Sequence, residues 1–415
     1  MQTRALLIDS FRMMVARRLF WITLGINMLV VLVYGSIGTN EEGLTMLFGL
    51  FDVGFAMFAN DSPVYASLMQ GIFSSMLVPL WLAWIATILA LVSTTSVFPD
   101  FQEEGAIDIV LSKPISRWKI FFVKYLGSLI FVFMQVAIFC LGVFLVVGTR
   151  IGDWNWTILA GVPIVLIFYS YLYAFCTLIG VVTRSAIAAL LFTMLFWFAL
   201  FIIQSAEGTL NLLKTQQEIE VQRLEQRLEA SRNALDRTER PQSLLDIGAT
   251  AMNDPARLRS RIETIETDLA EDESTLRALT RWHDIMRTSL AVLPKNQETI
   301  GLLDRWVRAD TAYSLTEIFG GQVPQDEPPA PVTETPPDTS VSTDLAIESL
   351  EGPEDATDLT QEDRFERNQQ LQREAAERVQ EDLDARSPWF IIGTSLGFEA
   401  VILLIAGWVF VRRDY

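Results

Sequence analysis

Residues 101–119, FQEEGAIDIVLSKPISRWK, concentrate charge in an otherwise greasy part of the chain. Glu103, Glu104 and Asp108 make the start acidic, Ile107, Ile109, Val110 and Leu111 make the middle apolar, and Lys113, Arg117 and Lys119 make the exit basic. Asp100 followed three residues on by Glu103 has the spacing of a capping box, which predicts a short helix beginning there. Pro114 biases Lys113 out of the helical region, so that helix ends near Leu111. Ser116 is placed to cap the next helix, and Trp118 falls at interface depth. An apolar patch bounded by charges of both signs suits docking of another protein.

The other chemistry-bearing residues are few. Glu399 stands alone in an apolar run, with twelve uncharged residues on either side (387–398 and 400–411). A charge at that depth costs roughly 2.5–3.5 kcal/mol on insertion scales, so Glu399 should face the bundle or the dimer seam, and protonation is one way to lower that cost. It either lines a conduit or makes a helix-to-helix hydrogen bond. His283, the one histidine, follows Trp282 and is expected to be an incidental surface residue. Cys140 and Cys176 fall in apolar runs, which favours packing over a disulfide or a metal site. No G-x-x-x-x-G-K-[ST] or HExxH occurs, and the dipeptide Gly-Lys is missing altogether. Nucleotide hydrolysis must therefore come from another chain, and this one is expected not to be an enzyme.

Six runs must position these residues. Segments 19–40, 62–99, 125–149, 154–183 and 185–206 are free of Asp, Glu, Lys and Arg, and 388–411 is broken only by Glu399. About 20 apolar residues cross a bilayer, so the expected fold is an all-α membrane protein with six transmembrane helices. The first run lacks a small-residue cleavage site and predicts an uncleaved span. Pro79 and Pro163, inside spans two and four, predict kinks satisfied by neighbouring helices.

Orientation follows from the short connections. With the N-terminus inside, Arg4, Arg12, Arg17, Arg18, Lys113, Arg117, Lys119, Lys124, Arg184, Arg412 and Arg413 are cytoplasmic, against Arg150 outside. Both termini are then cytoplasmic and residues 207–386 lie outside. That insert holds 38 of the chain's 50 acidic and 20 of its 32 basic residues, which accounts for the whole net charge of −18. Such acidity argues against nucleic acid as a partner.

The insert divides by pattern. In 207–289, Val221, Leu224, Leu228, Ser231 and Leu235, then Leu258, Ile262, Ile265, Leu269, Asp272, Leu276 and Leu279, repeat at spacings of three and four. Joined through a Pro, Gly and Asn-bearing connection at 241–254, they predict an antiparallel coiled-coil hairpin rather than a solvated charged helix. Residues 290–320, with Ile300, Leu303 and Trp306 at helical spacing, predict membrane-surface helices. Residues 321–386 read as an acidic flexible tether, with helix-compatible sequence at 361–386. At the other end, 1–18 reads as an amphipathic helix on the inner surface, and 43–60 as a short interfacial helix.

The pattern E-x-G-x-I-D-x-x-L-S-K-P-I-S-R-W-x-x-x-x-x-K-Y-L-G, from Glu103 to Gly127, resembles the loop between spans two and three of bacterial type-2 ABC exporter permeases, with Ala106 where Thr is common. The ending VFVRRDY at 409–415, the arginine-bearing residues 1–18 and the LPK of 293–295 are similar to that family's ending, elbow helix and five-to-six connection. The resemblance covers 1–206, 290–320 and 388–415 and leaves the hairpin and tether outside. It implies a permease subunit with spans one to five at 19–206, the sixth span and cytoplasmic tail at 387–415, and a coupling helix at 99–117. Implied contacts to an ABC ATPase are Glu103, Glu104, Gly105, Asp108, Leu111, Lys113, Pro114 and Arg117. No cofactor is then expected here, ATP and magnesium being bound by the partner subunit. Other expected partners are a second permease copy or paralogue, membrane lipids and an outer protein met by the hairpin. The expected location is a bacterial cytoplasmic membrane. The alternative is a membrane-anchored structural or mechanotransmission protein whose outer coiled coil binds a partner.

Overall fold

The computed structural model describes residues 18–40, 43–53, 63–102, 116–152, 154–240, 254–308 and 361–412. The amphipathic stretch 1–17 and the loop core 103–115 lie outside the described residues, as do Arg413 and the tether up to residue 360.

Among the described residues six helices are long and apolar enough to cross a membrane. In hydrocarbon every backbone N–H and C=O must find a partner within the protein, and a helix supplies one from its own segment. The first is α1 (Arg18–Gly35). The second is composite: α2 (Pro63–Ile72), a π-helical stretch Phe73–Ala86, α3 (Thr87–Thr94) and α4 (Val97–Phe101). Then come α5 (Arg117–Arg150), a 3-10 turn Trp156–Ala160 leading into α6 (Gly161–Thr183), and α7 (Ala186–Glu239). After α8 (Pro255–Leu290), α9 (Asn296–Arg308) and α10 (Gln361–Ala385), α11 (Pro388–Arg412) is the sixth.

The chain falls into two compact units: Met1–Ser205 with Thr288–Val323 and Arg386–Tyr415, and Ala206–Arg287 with Pro324–Ala385. In the first, α6 is the most enclosed span, and Phe168, Tyr169, Tyr171, Leu172 and Tyr173 are all buried. The last span packs chiefly on α6, while α1 lies on α5. Polar ties cross these packings. Trp81 Nε1 donates to Asn27 Oδ1 at 3.0 Å, Tyr34 OH to Met69 O at 2.8 Å and Arg150 Nη2 to Gly35 O at 3.1 Å. By contrast Ile187, Leu191, Leu195, Phe198 and Ile202 form an exposed ridge on α7 at spacings of three and four. Apolar side chains at those spacings share one helix face, and acyl chains would cover it.

Two local expectations are corrected. Residues 43–53 are not helical: β1 (Gly38–Asn40), β2 (Gly43–Met46) and β3 (Phe51–Val53) make a small antiparallel sheet in that order. Leu47, Phe48 and Gly49 turn the chain at φ 51°, 59° and 87°, a left-handed run no helix admits. Periodicity cannot separate strand from helix in so short an apolar stretch. Pro163 is no mid-span kink either. It sits in the first turn of α6, where an N–H would have no intrahelical acceptor. Pro79 does interrupt a span, inside the π-helical stretch.

In the second unit, the part of α7 beyond Ser205 and α8 run antiparallel, shown by Arg232–Glu266 at 2.7 Å and Arg259–Glu239 at 2.6 Å. Between them Leu224 and Leu228 meet Ile265, flanked by Ile262 and Leu269. Along the same helix lies α10, tied by Arg223–Glu374 at 2.6 Å and Arg367–Glu220 at 2.8 Å. His283 is not a surface residue. Its ring is buried, with Nε2 3.3 Å from Glu207 Oε1, because α8 turns that face inward towards α7.

Candidate functional site

Of the eight residues singled out in the loop, seven lie outside the described residues. Arg117 is described, and so are both stems of the loop. The entering stem ends in α4 and Gln102. Asp100 lies within α4, so it does not cap a helix starting there, and Val97 begins that helix after Ser96. The leaving stem begins at Ser116, whose extended backbone (φ −60°, ψ 133°) holds the cap position of α5 without a side-chain bond. Ser116 O accepts from Ile120 N at 3.1 Å, the first intrahelical bond of α5.

Both stems grip the end of the sixth span. Arg117 Nη1 donates to Val411 O at 3.1 Å. The last carbonyls of a helix lack intrahelical donors and carry partial negative charge, so a guanidinium there satisfies both demands. Next to it the Trp118 ring lies on Gly407, and a Cβ at that glycine would stand 2.3 Å from Trp118 Cζ3. Only a residue without a side chain permits this approach. From the entering stem, Phe98 and Phe101 reach Phe410 with centroids 6.4 and 6.3 Å apart. Phe121 lies between the stems, 5.2 Å from Phe98 and 5.8 Å from Phe410. Lys124 Nζ sits 5.0 Å from the Phe101 ring centre, a cation over a π face. The loop is therefore footed on one aromatic cluster shared by spans two, three and six.

Deeper in the bundle, Glu399 is buried and makes helix-to-helix hydrogen bonds. Tyr125 OH, on α5, lies 2.8 Å from its Oε1, and Ser170 Oγ, on α6, lies 2.6 Å from its Oε2. Tyr125 also reaches Ser170 O at 2.8 Å, and its ring stacks on Tyr173 at 5.3 Å. Tyr173 OH donates to Ser128 Oγ at 2.8 Å. The carboxyl thus links three spans.

A second feature lies at the far end of spans two and five from these stems. A cleft of about 450 Å³ is walled by Trp84, Trp197 and Phe201, with Gln204, Asn296 and Gln297 among its polar contacts.

A family model described as an ABC-2 family transporter protein matches residues 4–254. The chain belongs to the ABC-2 transporter family. It is accordingly a multi-pass membrane protein of the ABC-2 permease type, the transmembrane component of such transporters. Searches of curated proteins and of solved structures find no match. The ABC-2 match takes in spans one to five, both stems of the loop and the start of the insert.

Sequence reasoning singled out Arg117 and Glu399 in this ABC-2 chain but missed what receives them. The run YSYLY at 169–173 was the available signal for the Glu399 site, because three tyrosines and a serine are a dense polar patch for a span. Gly407 carried none, since a lone glycine in an apolar span is unremarkable until the ring that needs it is located. Among the described residues no group of His, Cys, Asp and Glu could hold a metal ion.

Proposed function

We propose that this chain is the permease subunit of an ATP-driven exporter in a bacterial cytoplasmic membrane, coupled to a separate ABC ATPase through the loop at 99–117. Glu103, Glu104, Gly105, Asp108, Leu111, Lys113, Pro114 and Arg117 make the contact set. A second copy or a sister permease completes the pathway, closed two-fold assembly being the commonest symmetry of oligomers. ATP and magnesium belong to the ATPase.

The observation that supports this best is the shared footing of the loop. Its two stems converge on Gly407, Phe410 and Val411, so displacement of the loop pulls on spans two, three and six together. Packed cores switch between discrete arrangements rather than bending smoothly. A push from closing nucleotide sites is thus converted into a rocking of spans.

The test is association. Glu104→Lys with Asp108→Lys reverses the acidic start of the loop, and the expected outcome is loss of ATPase in pull-down from membranes with insertion of the permease unchanged. Undiminished capture would overturn the coupling assignment.

A further inference from the structure

Between spans one and two, β2 passes into β3 through a turn built of apolar residues and one glycine. Met46, Leu47, Phe48, Leu50 and Phe51 are exposed there, Phe48 at 69% and Leu50 at 75%. Left-handed hairpin turns are ordinarily made from Asn, Asp and Gly, which accept a positive φ cheaply. Here Leu47 and Phe48 take φ 51° and 59° ahead of Gly49 at 87°. Bulky side chains held in that region cost energy, and such outliers cluster where the side chains have a use. A turn meant for water is better served by Asn-Gly.

The sheet fixes the depth of this turn. β1 begins three residues past the end of α1, and β2 returns beside it with Thr45 opposite Gly38. Phe48 N then donates to Ser36 O at 3.1 Å, which brings the turn back to the end of span one. Arg150, the last residue of α5, donates to Gly35 O and holds its guanidinium 6.0 Å from the Phe48 ring centre. The end of span three is therefore level with the turn. Two residues before Arg150, Gly148 receives the Trp154 ring, and Trp154 and Trp156 both meet Phe144, at 5.3 and 5.0 Å. Arginine and tryptophan at span ends are anchors of the boundary between hydrocarbon and water. The opposite end of the sheet is polar. Asn40, Glu41 and Glu42 join β1 to β2, and Asn40 Oδ1 accepts from Gly43 N at 2.9 Å. The sheet is thus apolar at the end that reaches the span ends and acidic at the other.

We infer that this turn is a lipid-binding finger. Leu47, Phe48 and Leu50, with Met46 and Phe51 behind them, enter the headgroup–acyl boundary beside spans one and three, and Arg150 holds the finger at that depth. Composition pointed 43–60 to the interface as a helix lying flat, whereas the structure offers a turn that dips in by its tip. A second copy suits the surface less well, because a stable interface takes about 20–30 residues a side and the tip supplies five. The finger does not depend on the permease function proposed above.

Spin labelling of the full chain in phosphatidylcholine nanodiscs tests this, with Cys140 and Cys176 replaced by alanine. Labels are placed at Leu50→Cys, at Phe133→Cys as an exposed mid-span reference on α5, and at Glu229→Cys as a water reference. Oxygen concentrates in the bilayer and a neutral nickel chelate in water, so the ratio of their collision rates reads depth. The ratio at 50 should lie near that at 133 and far above that at 229. Leu47→Asn with Phe48→Gly then supplies the residues such turns prefer, so the sheet is kept while the two anchors are lost. That change should weaken insertion about a hundredfold, and the ratio at 50 should fall to the value at 229. A ratio at 50 equal to that at 229 in the otherwise native turn puts the tip in water and overturns the proposal. Low collision rates with both reagents, together with dipolar broadening between labels, overturn it in favour of a second copy. An unchanged ratio in the double variant overturns the anchoring role of Leu47 and Phe48.

Discussion

At the scale of single residues, the sixth span shows how a buried carboxyl is accommodated. Twelve uncharged neighbours on each side made Glu399 conspicuous, and the cost of a charge at that depth said it must face protein. Its partners were not legible, because Tyr125 and Ser170 lie 274 and 229 positions away along the chain and no local spacing connects them. Interhelical hydrogen bonds in membranes are worth about 0.6 kcal/mol on average and up to about 1.7. Glu399→Leu leaves Tyr125 its bond to Ser170 O but strips the carboxyl from both hydroxyls. It is expected to lower stability by about 1–2 kcal/mol, read as a fall in Tm of the purified chain. Glu399→Gln keeps an oxygen for one hydroxyl and an amide for the other, and should stay close to wild type. Equal losses in the two variants would show that volume, rather than hydrogen bonding, holds the spans there.

At the scale of elements, existence was legible and junctions were not. Five charge-free runs and one broken only by Glu399 located the six apolar helices, since hydrocarbon dictates composition over about twenty residues at a time. Heptad spacing marked both long helices of the insert, whose Leu224, Leu228 and Ile265 do meet. The sheet at 38–53 escaped, because left-handed turns at Leu47 and Phe48 depend on contacts outside a reading window. Likewise the widened turns around Pro79 depend on span two packing against α9 as well as on the proline. The junction with most consequence is Trp118 on Gly407, where α5 starts and α11 ends. Gly407→Ala drives a methyl into the indole and should cost about 1–3 kcal/mol, the usual penalty of overpacking. In a Trp118→Ala background the same change should cost little. A double-mutant cycle on Tm reads this coupling, and additive losses would mean that ring and glycine do not share the site. ATPase association offers a second readout, as the Trp118 ring seats one stem of the loop.

For the molecule as a whole, the argument is electrostatic. Outside the insert, acidic and basic residues balance at twelve each, and the basic ones fall almost entirely on alternate connections. Lysine and arginine near span ends are retained on the cytoplasmic side, whereas acidic residues have little influence, so an insert with a large negative charge is free to cross. If all six apolar helices cross, the three between the loop at 103–117 and the insert put the two on opposite faces, whichever face each takes. The sign of the assignment thus reduces to one labelling experiment. Cys140 and Cys176 are buried in spans and unpaired, so replacing both by alanine removes every native thiol with only small cavities left. Glu104→Cys and Glu229→Cys, each in that background, are then offered to a membrane-impermeant maleimide. In intact cells the cysteine at 229 should be labelled and that at 104 should not, and permeabilisation should expose the second. The opposite pattern would put the loop beyond the reach of any cytoplasmic ATPase. Its footing on Gly407 and Phe410 would then need a different source of force. Labelling of both positions in intact cells would break the six-span count itself, because two connections separated by three spans cannot share a face.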